Sequence, residues 1–532
     1  MLVVNRSKPD RSGVAAVFRI SLLVGLALCG LGAAGPLALS LGPAAAAATD
    51  PPPSRPNIVF ILTDDEDMKV HAFMPKMRRL IEEEGAVFDN YYVTYPFCCP
   101  SRATTLRGQY SHNHQVTGNV LPSGGFRKFR TMGHESSTIA TWLNEAGYHT
   151  AFFGKYLNGY DPEQHGVPEG WDQWHAGSSM AHPGYDYVLN ENGRIVAYGR
   201  EPSDYLTDVL ARKATEVIRA VGRAGRPFFL YVAPFTPHSP ATPAPRHAHL
   251  FADATLPRPP SFDEADMSDK PAMVRDLPRL EAERIAEMEE TYRRRLRSMQ
   301  AIDDLVEDIV VALEETGQVD NTYVVYTSDN GFHQGEHRMA YGKDTPYEED
   351  IAVPFAIRGP GVPASVRIDA MVLNNDIAPT FAALAGIEPP AFVDGRSFLP
   401  LLAEPWQPWR QTFLVERHAL ENHQLTGAAN FNALRTADWT YVEYGSGERE
   451  LYNHPSDPYQ VDNLAAIAPP AFLDVFSLRL AQLVNCAGGD CRRLEDEPIE
   501  PVWAPQTALP LTEEPGEPAG SLIPAKGGQT LN

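Results

Sequence analysis

The chain contains a continuous apolar run, Ile58-Val59-Phe60-Ile61-Leu62, which is followed directly by Thr63-Asp64-Asp65. A strand that is buried on one face alternates apolar and polar residues, whereas a strand buried on both faces is apolar throughout. The run is therefore predicted to be an inner strand of a sheet that is covered on both sides. Phe228–Ala233 and Thr322–Thr327 predict two further strands of this kind.

Segments with helical periodicity lie between these strands. Residues 74–84 and Ser137–Ala146 are each followed by a glycine, and the long segment Leu280–Gly317 carries an apolar stripe that begins at Leu296. Strands that alternate with helices form mostly parallel sheets with helices on both faces. We therefore predict an α/β fold with a large mixed, mostly parallel sheet sandwiched by helices.

The pattern changes in the last quarter of the chain. Trp439–Tyr444 and Glu450-Leu451-Tyr452 flank a Gly-Ser-Gly turn, which predicts an antiparallel hairpin, and residues 470–484 predict a helix. Beyond residue 494 the chain is acidic and rich in proline, without periodicity. We assign residues 56–405 to the α/β domain, 406–494 to a C-terminal α+β subdomain with a small antiparallel sheet plus helix, and 495–532 to a loosely packed tail.

The first 48 residues have the pattern of a secretory signal peptide. Basic residues precede the apolar run Ile20–Leu28, and small residues continue to Ala48. We predict cleavage near Ala48, a linker at residues 49–55, and a secreted or extracytoplasmic location. The alternative is an uncleaved membrane anchor. No later run approaches the roughly 20 apolar residues that a membrane span needs, so we expect no stable span after cleavage.

The composition limits the classes of partner. The chain has 532 residues and a formal net charge of −23, which argues against a general nucleic-acid binder because few bases could neutralise a phosphate backbone. The five cysteines are too few for a disulfide scaffold in a chain of this length. Cys486 and Cys491 are close together in a chain predicted to be secreted, so we expect them to form a small disulfide.

Acidic side chains follow two of the predicted inner strands. Asp64 and Asp65 follow the first strand, and Asp329 and Asn330 follow the strand that ends near Thr327. In doubly wound sheets, ligands bind at the carboxyl ends of the strands. Three carboxylates and an amide oxygen at one edge suit Ca²⁺ or Mg²⁺. The alternative is that these residues only open turns and cap helices.

The segment from Cys98 to Gly108 reads Cys-Cys-Pro-Ser-Arg-Ala-Thr-Thr-Leu-Arg-Gly. It places a cysteine just before a Pro-Ser start to a helix, where backbone N–H groups favour an anion, and Arg102 adds a positive charge within one turn. The residues alone leave four roles open for Cys98: a site beside an anion, a metal thiolate, a structural disulfide and a cysteine nucleophile. Cys99 is expected to be structural.

This segment resembles the signature of the type I sulfatases, C-x-P-S-R-x-x-x-L, from Cys98 to Leu106. The resemblance extends over roughly residues 55–490 and implies the alkaline-phosphatase-like fold of that superfamily. It also implies that Cys98 is oxidised to Cα-formylglycine by a formylglycine-generating enzyme, and that its hydrate is the nucleophile. The resemblance implies one divalent ion, Ca²⁺ or Mg²⁺, and the implied ligands are Asp64, Asp65, modified Cys98, Asp329 and Asn330.

Other segments resemble the family's substrate-binding motifs. Gly154-Lys155-Tyr156-Leu157-Asn158 matches the sulfate-binding lysine segment, Pro237-His238-Ser239-Pro240 matches the active-site histidine segment, and Gly342-Lys343 matches the second lysine. Within the family the chain most resembles the branch of N-acetylglucosamine-6-sulfatases and heparan-6-O-endosulfatases. Many members carry a histidine two residues after the first lysine; this chain has Leu157 there, followed by Asn158.

The resemblance implies a division of roles. Arg102 would hold the formylglycine, Lys155 the sulfate, and Asp329 would act as base, while His238 or Lys343 would protonate the leaving alcohol. Substrate contacts are expected from the following residues: Lys155, Asn158, His238, His333 and Lys343.

Several polar residues are expected to play no catalytic part. The Arg293–Arg297 run is predicted to be a solvated helix face, and Asp303-Asp304 a surface pair. His112 and His114 are as consistent with packing as with lining a pocket.

The expected function is hydrolysis of sulfate monoesters, either carbohydrate 6-sulfates such as N-acetylglucosamine-6-sulfate or aryl sulfates. The substrate would be a sulfated small molecule or glycan; the chain has no long basic stretch to grip an extended polyanion. Two alternatives are a phosphomonoester or phosphonate hydrolase on the same fold and a non-catalytic binder of sulfated glycans.

Overall fold

The computed structural model describes residues 55–178, 181–418, 429–499 and 503. The predicted signal peptide, the linker up to residue 54 and all of the predicted tail from residue 500 onward except Trp503 lie outside the described residues. Among the helices that are described, none is both long enough and apolar enough to cross a membrane.

The strands fall into a large sheet, a two-stranded sheet and a small C-terminal sheet. In chain order they are β1 (Asn57–Thr63), β2 (Ala86–Phe88), β3 (Tyr91–Tyr92), β4 (His149–Lys155), β5 (Gln173–Gly177), β6 (Tyr187–Glu191), β7 (Arg194–Tyr198), β8 (Phe228–Ala233), β9 (Thr322–Ser328), β10 (Phe355–Arg358), β11 (Val366–Ile368), β12 (Val372–Leu373), β13 (Thr412–Arg417), β14 (Phe431–Thr436), β15 (Trp439–Tyr444) and β16 (Arg449–Asn453).

The large sheet has ten strands in the order β11-β2-β10-β9-β1-β8-β4-β5-β6-β7. Strand β1 lies near its centre and pairs in parallel with both β8 and β9, and β4 and β5 continue the parallel part on the β8 side. Antiparallel pairs flank it, through β10 on one side and β6 and β7 on the other. The prediction of a large mixed, mostly parallel sheet is confirmed.

Helices cover both faces of this sheet. The α-helices are α1 (Met68–His71), α2 (Pro75–Met77), α3 (Cys98–Arg107), α4 (Ser111–His114), α5 (Gly125–Thr131), α6 (Ile139–Glu145), α7 (Leu206–Gly222), α8 (Ala272–Arg275), α9 (Ala282–Glu315), α10 (Glu348–Ile351), α11 (Ile377–Leu384), α12 (Leu399–Ala403), α13 (Pro470–Leu483) and α14 (Gly489–Asp496).

The side chains of β1 explain why its sequence is apolar throughout. Ile58, Phe60 and Leu62 belong to a buried cluster that includes residues of α3, α6 and α11. Val59 and Ile61 point to the other face and join a second cluster with residues of α7 and α9. Because each face is covered by helices, neither set of side chains meets water, as the continuous apolar run predicts.

The C-terminal subdomain consists of the antiparallel sheet β13-β14-β15-β16 with α13 packed against it. The predicted hairpin is present as β15 and β16, and the predicted helix as α13. Helix α14 continues past residue 494, where the tail was expected to begin. Its Glu495 is fully buried and accepts a hydrogen bond from Arg410 Nε at 2.8 Å, so the packed chain extends beyond that boundary.

Contacts of Arg410 and His112 are among those that join the subdomain to the larger domain. Arg410, which is fully buried, also donates to both oxygens of Asp376, at 2.7 and 2.9 Å. The His112 ring lies 3.1 Å from Glu416 on β13 and 3.0 Å from the carbonyl of Cys486. Cys486 is joined to Cys491 by a disulfide. His112 and His114 therefore have packing roles, since His114 bonds Thr104 within the core.

We predict that His112 makes the stability depend on pH. Burial alone would lower the pKa of His112, but Glu416 and the Cys486 carbonyl raise it to about 9. A raised pKa in the folded state stabilises the protein below the ordinary pKa of about 6.5, and this contribution disappears as the pH rises through 9. In urea unfolding, the difference between wild type and His112→Gln should shrink by about 1–3 kcal/mol from pH 6 to pH 9.5.

The exposed His249 provides the control for this experiment. His249→Gln should follow the wild-type pH profile throughout. A constant difference between wild type and His112→Gln over the same range would contradict the assignment of a charged His112 at neutral pH.

Candidate active site

The carboxyl ends of β1 and β9 bring the predicted acidic residues together. Thr63 is paired with Ser328, so the residues that follow in the two strands are neighbours. The backbone N–H of Asp65 donates to Asp329 Oδ1 at 3.1 Å, and Asn330 Nδ2 donates to Asp65 Oδ1 at 2.8 Å. Asp64, Asp65, Asp329 and Asn330 are all buried. They form one cluster, which we call the carboxylate cluster.

Cys98 lies at the first turn of α3 and faces this cluster. Its Sγ is 3.7 Å from Asp64 Oδ1 and 3.9 Å from Asp65 Oδ1, and Lys343 Nζ donates to it at 2.8 Å. Cys98 and Cys99 are both free cysteines, so neither forms a structural disulfide. Burial raises the pKa of the Cys98 thiol to about 12 although Lys155 and Lys343 oppose it, so the unmodified side chain is a thiol at neutral pH.

Three buried cations pair with the three carboxylates. Arg102, one turn after Cys98, donates from Nε to Asp329 Oδ2 at 2.7 Å and from Nη1 to the Lys155 carbonyl at 2.8 Å. Lys155, the last residue of β4, donates to both oxygens of Asp64 at 2.7 and 2.8 Å. Lys343 forms an ion pair with Asp65.

The pKa values follow from burial and these pairs. Burial alone would raise the pKa of Asp64, but Lys155 and its neighbours hold it well below its ordinary value. Asp64 in turn raises the pKa of Lys155 against the effect of burial. For Asp329, burial prevails over Arg102 and the pKa is raised. The ammonium groups of Lys155 and Lys343 are therefore charged.

Two histidines lie on the open side of the cluster. His238 was predicted from its motif; its Nε2 is 3.7 Å from Asp65 Oδ2 and its Nδ1 is 2.8 Å from the Ser239 carbonyl. Burial lowers the pKa of His238 to about 4, so the ring is neutral at pH 7. His182 was not predicted. Its Nε2 is 3.4 Å from Asp64 Oδ2, and its ring lies 4.1 Å from that of His238. No pattern around His182 in the sequence signals this position.

Arg295 supports the cluster from α9, which corrects the expectation of a solvated arginine face. Its Nη2 donates to the Asp65 carbonyl and to Asp67 Oδ2, both at 2.7 Å, and the residue is only 1% exposed. Asp303 is likewise buried rather than on the surface, because its carboxylate accepts from the backbone N–H groups of Lys76 and Met77. Both side chains hold the β1–α2 segment against α9.

Two predicted substrate contacts lie outside the carboxylate cluster. His333 is buried, and its Nδ1 bonds Asp350 at 3.0 Å. Asn158 is half-buried; its carbonyl accepts from Phe126 N–H, and its Oδ1 is a buried atom without a hydrogen-bond partner among the described residues. Neither side chain is hydrogen-bonded to the cluster.

The donor set fits a divalent cation. Ligand atoms of Asp64, Asp65, Cys98 and His238 lie within 4.8 Å of one another. Asn330 Oδ1 is buried and has no hydrogen-bond partner among the described residues, although its Nδ2 is bonded. An unpaired amide oxygen beside two carboxylates suits a hard ion such as Ca²⁺ or Mg²⁺.

The fold, with the carboxylate cluster at the edge of its sheet, is that of the alkaline-phosphatase-like class of hydrolases. The family model described as Sulfatase matches residues 56–387, and a model described as N-sulphoglucosamine sulphohydrolase, C-terminal, matches residues 335–477. The chain therefore belongs to the sulfatase family, and the predictions of the family and of a sulfatase-class enzyme are confirmed.

Named relatives agree with this assignment. The chain is 34% identical to the human N-acetylglucosamine-6-sulfatase, over 82% of this chain and 86% of that protein. It is 40% identical to an extracellular sulfatase homologue of Caenorhabditis elegans, over 68% of this chain but only 53% of that protein's length. One similar solved structure is that of a protein in complex with its substrate D-glucosamine-2-N,6-O-disulfate. It superposes on this chain with a TM-score of 0.69 at 26% identity, and the match covers 81% of this chain and 97% of that chain.

We predict that Arg295 and its neighbour Arg294 differ sharply in their effect on stability. Arg295→Met leaves the buried Asp67 carboxylate without its cation, which should lower the free energy of unfolding by about 3–5 kcal/mol. Among the described residues, the side chain of Arg294 donates one hydrogen bond, to the Thr291 hydroxyl. Arg294→Met should change stability by about 0.5 kcal/mol or less. Chemical denaturation of the two variants measures the difference, and equal effects would contradict the buried role of Arg295.

Proposed function

We propose that the chain is a secreted sulfatase that hydrolyses sulfate monoesters, with carbohydrate 6-sulfates such as N-acetylglucosamine-6-sulfate preferred over aryl sulfates. The observation that carries this proposal is the position of Cys98, whose Sγ lies within 4 Å of two carboxylates and of the Lys343 ammonium group. A site for a neutral substrate does not need so many buried charged groups. A sulfate ester is an anion, and its reaction needs nearby cations that neutralise the charge.

The preference for a sugar 6-sulfate is supported by similarity. The human relative is named for N-acetylglucosamine 6-sulfate, and the superposed structure holds a glucosamine that carries a 6-O-sulfate. Extracellular sulfatase relatives support secretion, in agreement with the signal-peptide pattern of residues 1–48. If the substrate were an aryl sulfate instead, the proposed roles of the site residues would be the same.

The chain's own cations would bind and orient the sulfate group. Lys155 and Lys343 reach the cluster from opposite sides, from the end of β4 and from the segment after β9, so that each can donate to a different sulfate oxygen. Binding an anion between two fixed ammonium groups neutralises it and restricts its orientation, which favours in-line attack at sulfur.

Residue 98 would be held by Arg102. The Nη2 of Arg102 is buried and has no hydrogen-bond partner among the described residues, and it lies 3.9 Å from Asp64 Oδ1. This N–H group is available to an oxygen on residue 98, one helical turn away. When a generating enzyme converts Cys98 to formylglycine, one hydroxyl of the hydrated aldehyde would attack sulfur as the alcohol leaves. The second hydroxyl would then lose its proton as sulfate departs, which restores the aldehyde.

Residues around residue 98 would carry out the proton transfers. Asp329 would accept the proton of the attacking hydroxyl, and its raised pKa favours that role. His238 is neutral, and therefore suits a hydrogen bond to the leaving oxygen, whereas Lys343 is charged and would donate the proton. A Ca²⁺ ion, or Mg²⁺, held by Asp64, Asp65, Asp329, Asn330 and residue 98 would supply further charge neutralisation.

We predict that sulfate release requires Cys98 in modified form. Cys98→Ala should lower kcat by about 10³-fold or more because the nucleophile is removed, while the fold is retained. Mass spectrometry of the peptide that contains Cys98, from protein made with a formylglycine-generating enzyme, should detect an aldehyde. Cys99→Ala, at the adjacent buried cysteine, is the matched control and should keep the aldehyde at position 98. A peptide that contains only thiol in active protein would refute the proposal.

We predict that Ca²⁺ binds the carboxylate cluster. Asp65→Asn removes one ligand charge, so titration calorimetry should show an affinity for Ca²⁺ at least about tenfold lower than in wild type. Asp208→Asn is the control, because Asp208 pairs with Arg246 on the surface. Equal affinities in wild type and Asp65→Asn would exclude this cluster as the metal site.

Paired assays with sulfate and phosphate esters separate the proposal from its rivals. A sulfatase should release sulfate from N-acetylglucosamine-6-sulfate faster than phosphate from the 6-phosphate. The opposite preference would indicate a phosphomonoester or phosphonate hydrolase. Binding without release of either group, by protein that carries the aldehyde, would indicate a glycan-binding protein.

A further inference from the structure

Asp344 directly follows Lys343 and has a backbone conformation that is unusual for an aspartate. Its φ is +81°, in the left-handed region. Residues other than glycine are strained there, and such conformations persist only where the surrounding structure holds them. Because the direction of the chain at Lys343 depends on the conformation of the next residue, the group that holds Asp344 also affects the position of the lysine.

The C-terminal subdomain supplies that group. Arg417, the last residue of β13, donates from Nε to Asp344 Oδ2 at 2.7 Å. Both side chains are buried, with 2% of Arg417 and 1% of Asp344 exposed. The guanidinium group is itself fixed, because its Nη1 donates to Asn430 Oδ1 at 2.9 Å. This ion pair therefore connects the small antiparallel sheet to the residue beside the active-site lysine.

The two side chains depend on each other. Asp344 Oδ1 and Arg417 Nη2 are both buried, and neither atom has a hydrogen-bond partner among the described residues. Burial raises the pKa of Asp344 to about 7, although Arg417 opposes the shift. Without the arginine, the carboxyl group would take up a proton and would no longer be held at the left-handed position by an ion pair.

The chain on either side of residues 343 and 344 is fixed by other contacts. Gly342 exchanges two backbone hydrogen bonds, of 2.9 and 3.1 Å, with His333. Thr345 donates to Asp350 Oδ2 from its backbone N–H at 3.0 Å and from its hydroxyl at 2.6 Å. Loss of the arginine contact would therefore act on the two residues in between and leave their neighbours in place.

The position of Lys343 matters because its ammonium group lies at the reacting centre. Its Nζ donates to Cys98 Sγ at 2.8 Å and forms an ion pair with Asp65. Under the proposed function, Lys343 would give a proton to the leaving oxygen as the bond between that oxygen and sulfur breaks. A displacement of about 1 Å from the productive geometry can lower a rate about 100-fold.

We propose that Arg417 and Asp344 are positioning residues, which place the ammonium group of Lys343 for proton donation to the leaving alcohol. This inference rests on the proposed sulfatase function and extends it to the C-terminal subdomain. The subdomain would contribute to the rate through a buried ion pair, without contact between either residue and the substrate.

The test compares two sulfate esters that differ in their need for a proton. The sugar oxygen of N-acetylglucosamine-6-sulfate is strongly basic and needs a proton donor, whereas the oxygen of 4-nitrophenyl sulfate is weakly basic and leaves without one. For enzyme in the aldehyde form, Arg417→Met should lower kcat by about 10- to 100-fold with the sugar ester and by about threefold or less with the nitrophenyl ester. A smaller fraction of folded protein would lower both values by the same factor.

Arg435→Met is the matched control. Arg435 is also a buried arginine of the small sheet, and its Nε donates to Glu348 Oε1 at 2.8 Å, in the same part of the chain as Lys343. This variant should keep the wild-type ratio of the two kcat values. A variant with both Asp344→Asn and Arg417→Met should show no larger loss than Arg417→Met, because the two residues act through one contact. An unchanged ratio in Arg417→Met would overturn the proposal.

Wild type reports on the proposed function separately. If it releases sulfate from neither ester, the proposed function fails. If it does not hydrolyse both esters, crystal structures of wild type and Arg417→Met decide the position of the lysine instead. The Nζ of Lys343 should lie within hydrogen-bond distance of residue 98 in wild type and beyond it in the variant. The same position in both proteins would overturn the inference.

Discussion

Three carboxylates buried at one edge of a sheet cannot remain charged unless cations are buried with them. Asp64, Asp65 and Asp329 meet this requirement through Lys155, Lys343 and Arg102, in one-to-one pairs. Burial of an unpaired charge is costly enough that each pair depends on both members. Three carboxylates and three cations leave this edge of the sheet close to neutral. A divalent ion bound by the same carboxylate oxygens would give the edge the positive charge that an anionic ester needs.

This constraint explains the arrangement of the elements around β1. The three cations come from the first turns of α3, the end of β4 and the segment after β9, which are far apart in the chain. They meet only because β1 lies between β8 and β9, with β4 beyond β8, so that these strands end at the same edge. Arg295 adds a support from α9, since it fixes the carbonyl of Asp65 and the carboxylate of Asp67 together.

Local sequence patterns predicted the strands and helices well, but they did not predict the residues that hold the carboxylate cluster in place. β8, β9 and the hairpin of β15 and β16 lie where periodicity placed them, because burial on one or both faces determines which residues are apolar. Arg295 and Asp303 could not be separated from surface charges, since their partners are more than 220 residues away. His182 could not be predicted either, because it reaches Asp64 from a segment without any motif.

The same limit applies to charge. A net charge of −23 and the lack of a basic stretch describe an acidic protein, and they conceal that Arg102, Lys155 and Lys343 converge at one edge of the sheet. An acidic surface repels a sulfated glycan everywhere except where cations are concentrated, and opposite local charge directs association and suppresses incorrect binding modes. The acidity of the chain is therefore compatible with an anionic substrate, because these cations lie together at the edge that holds the carboxylate cluster.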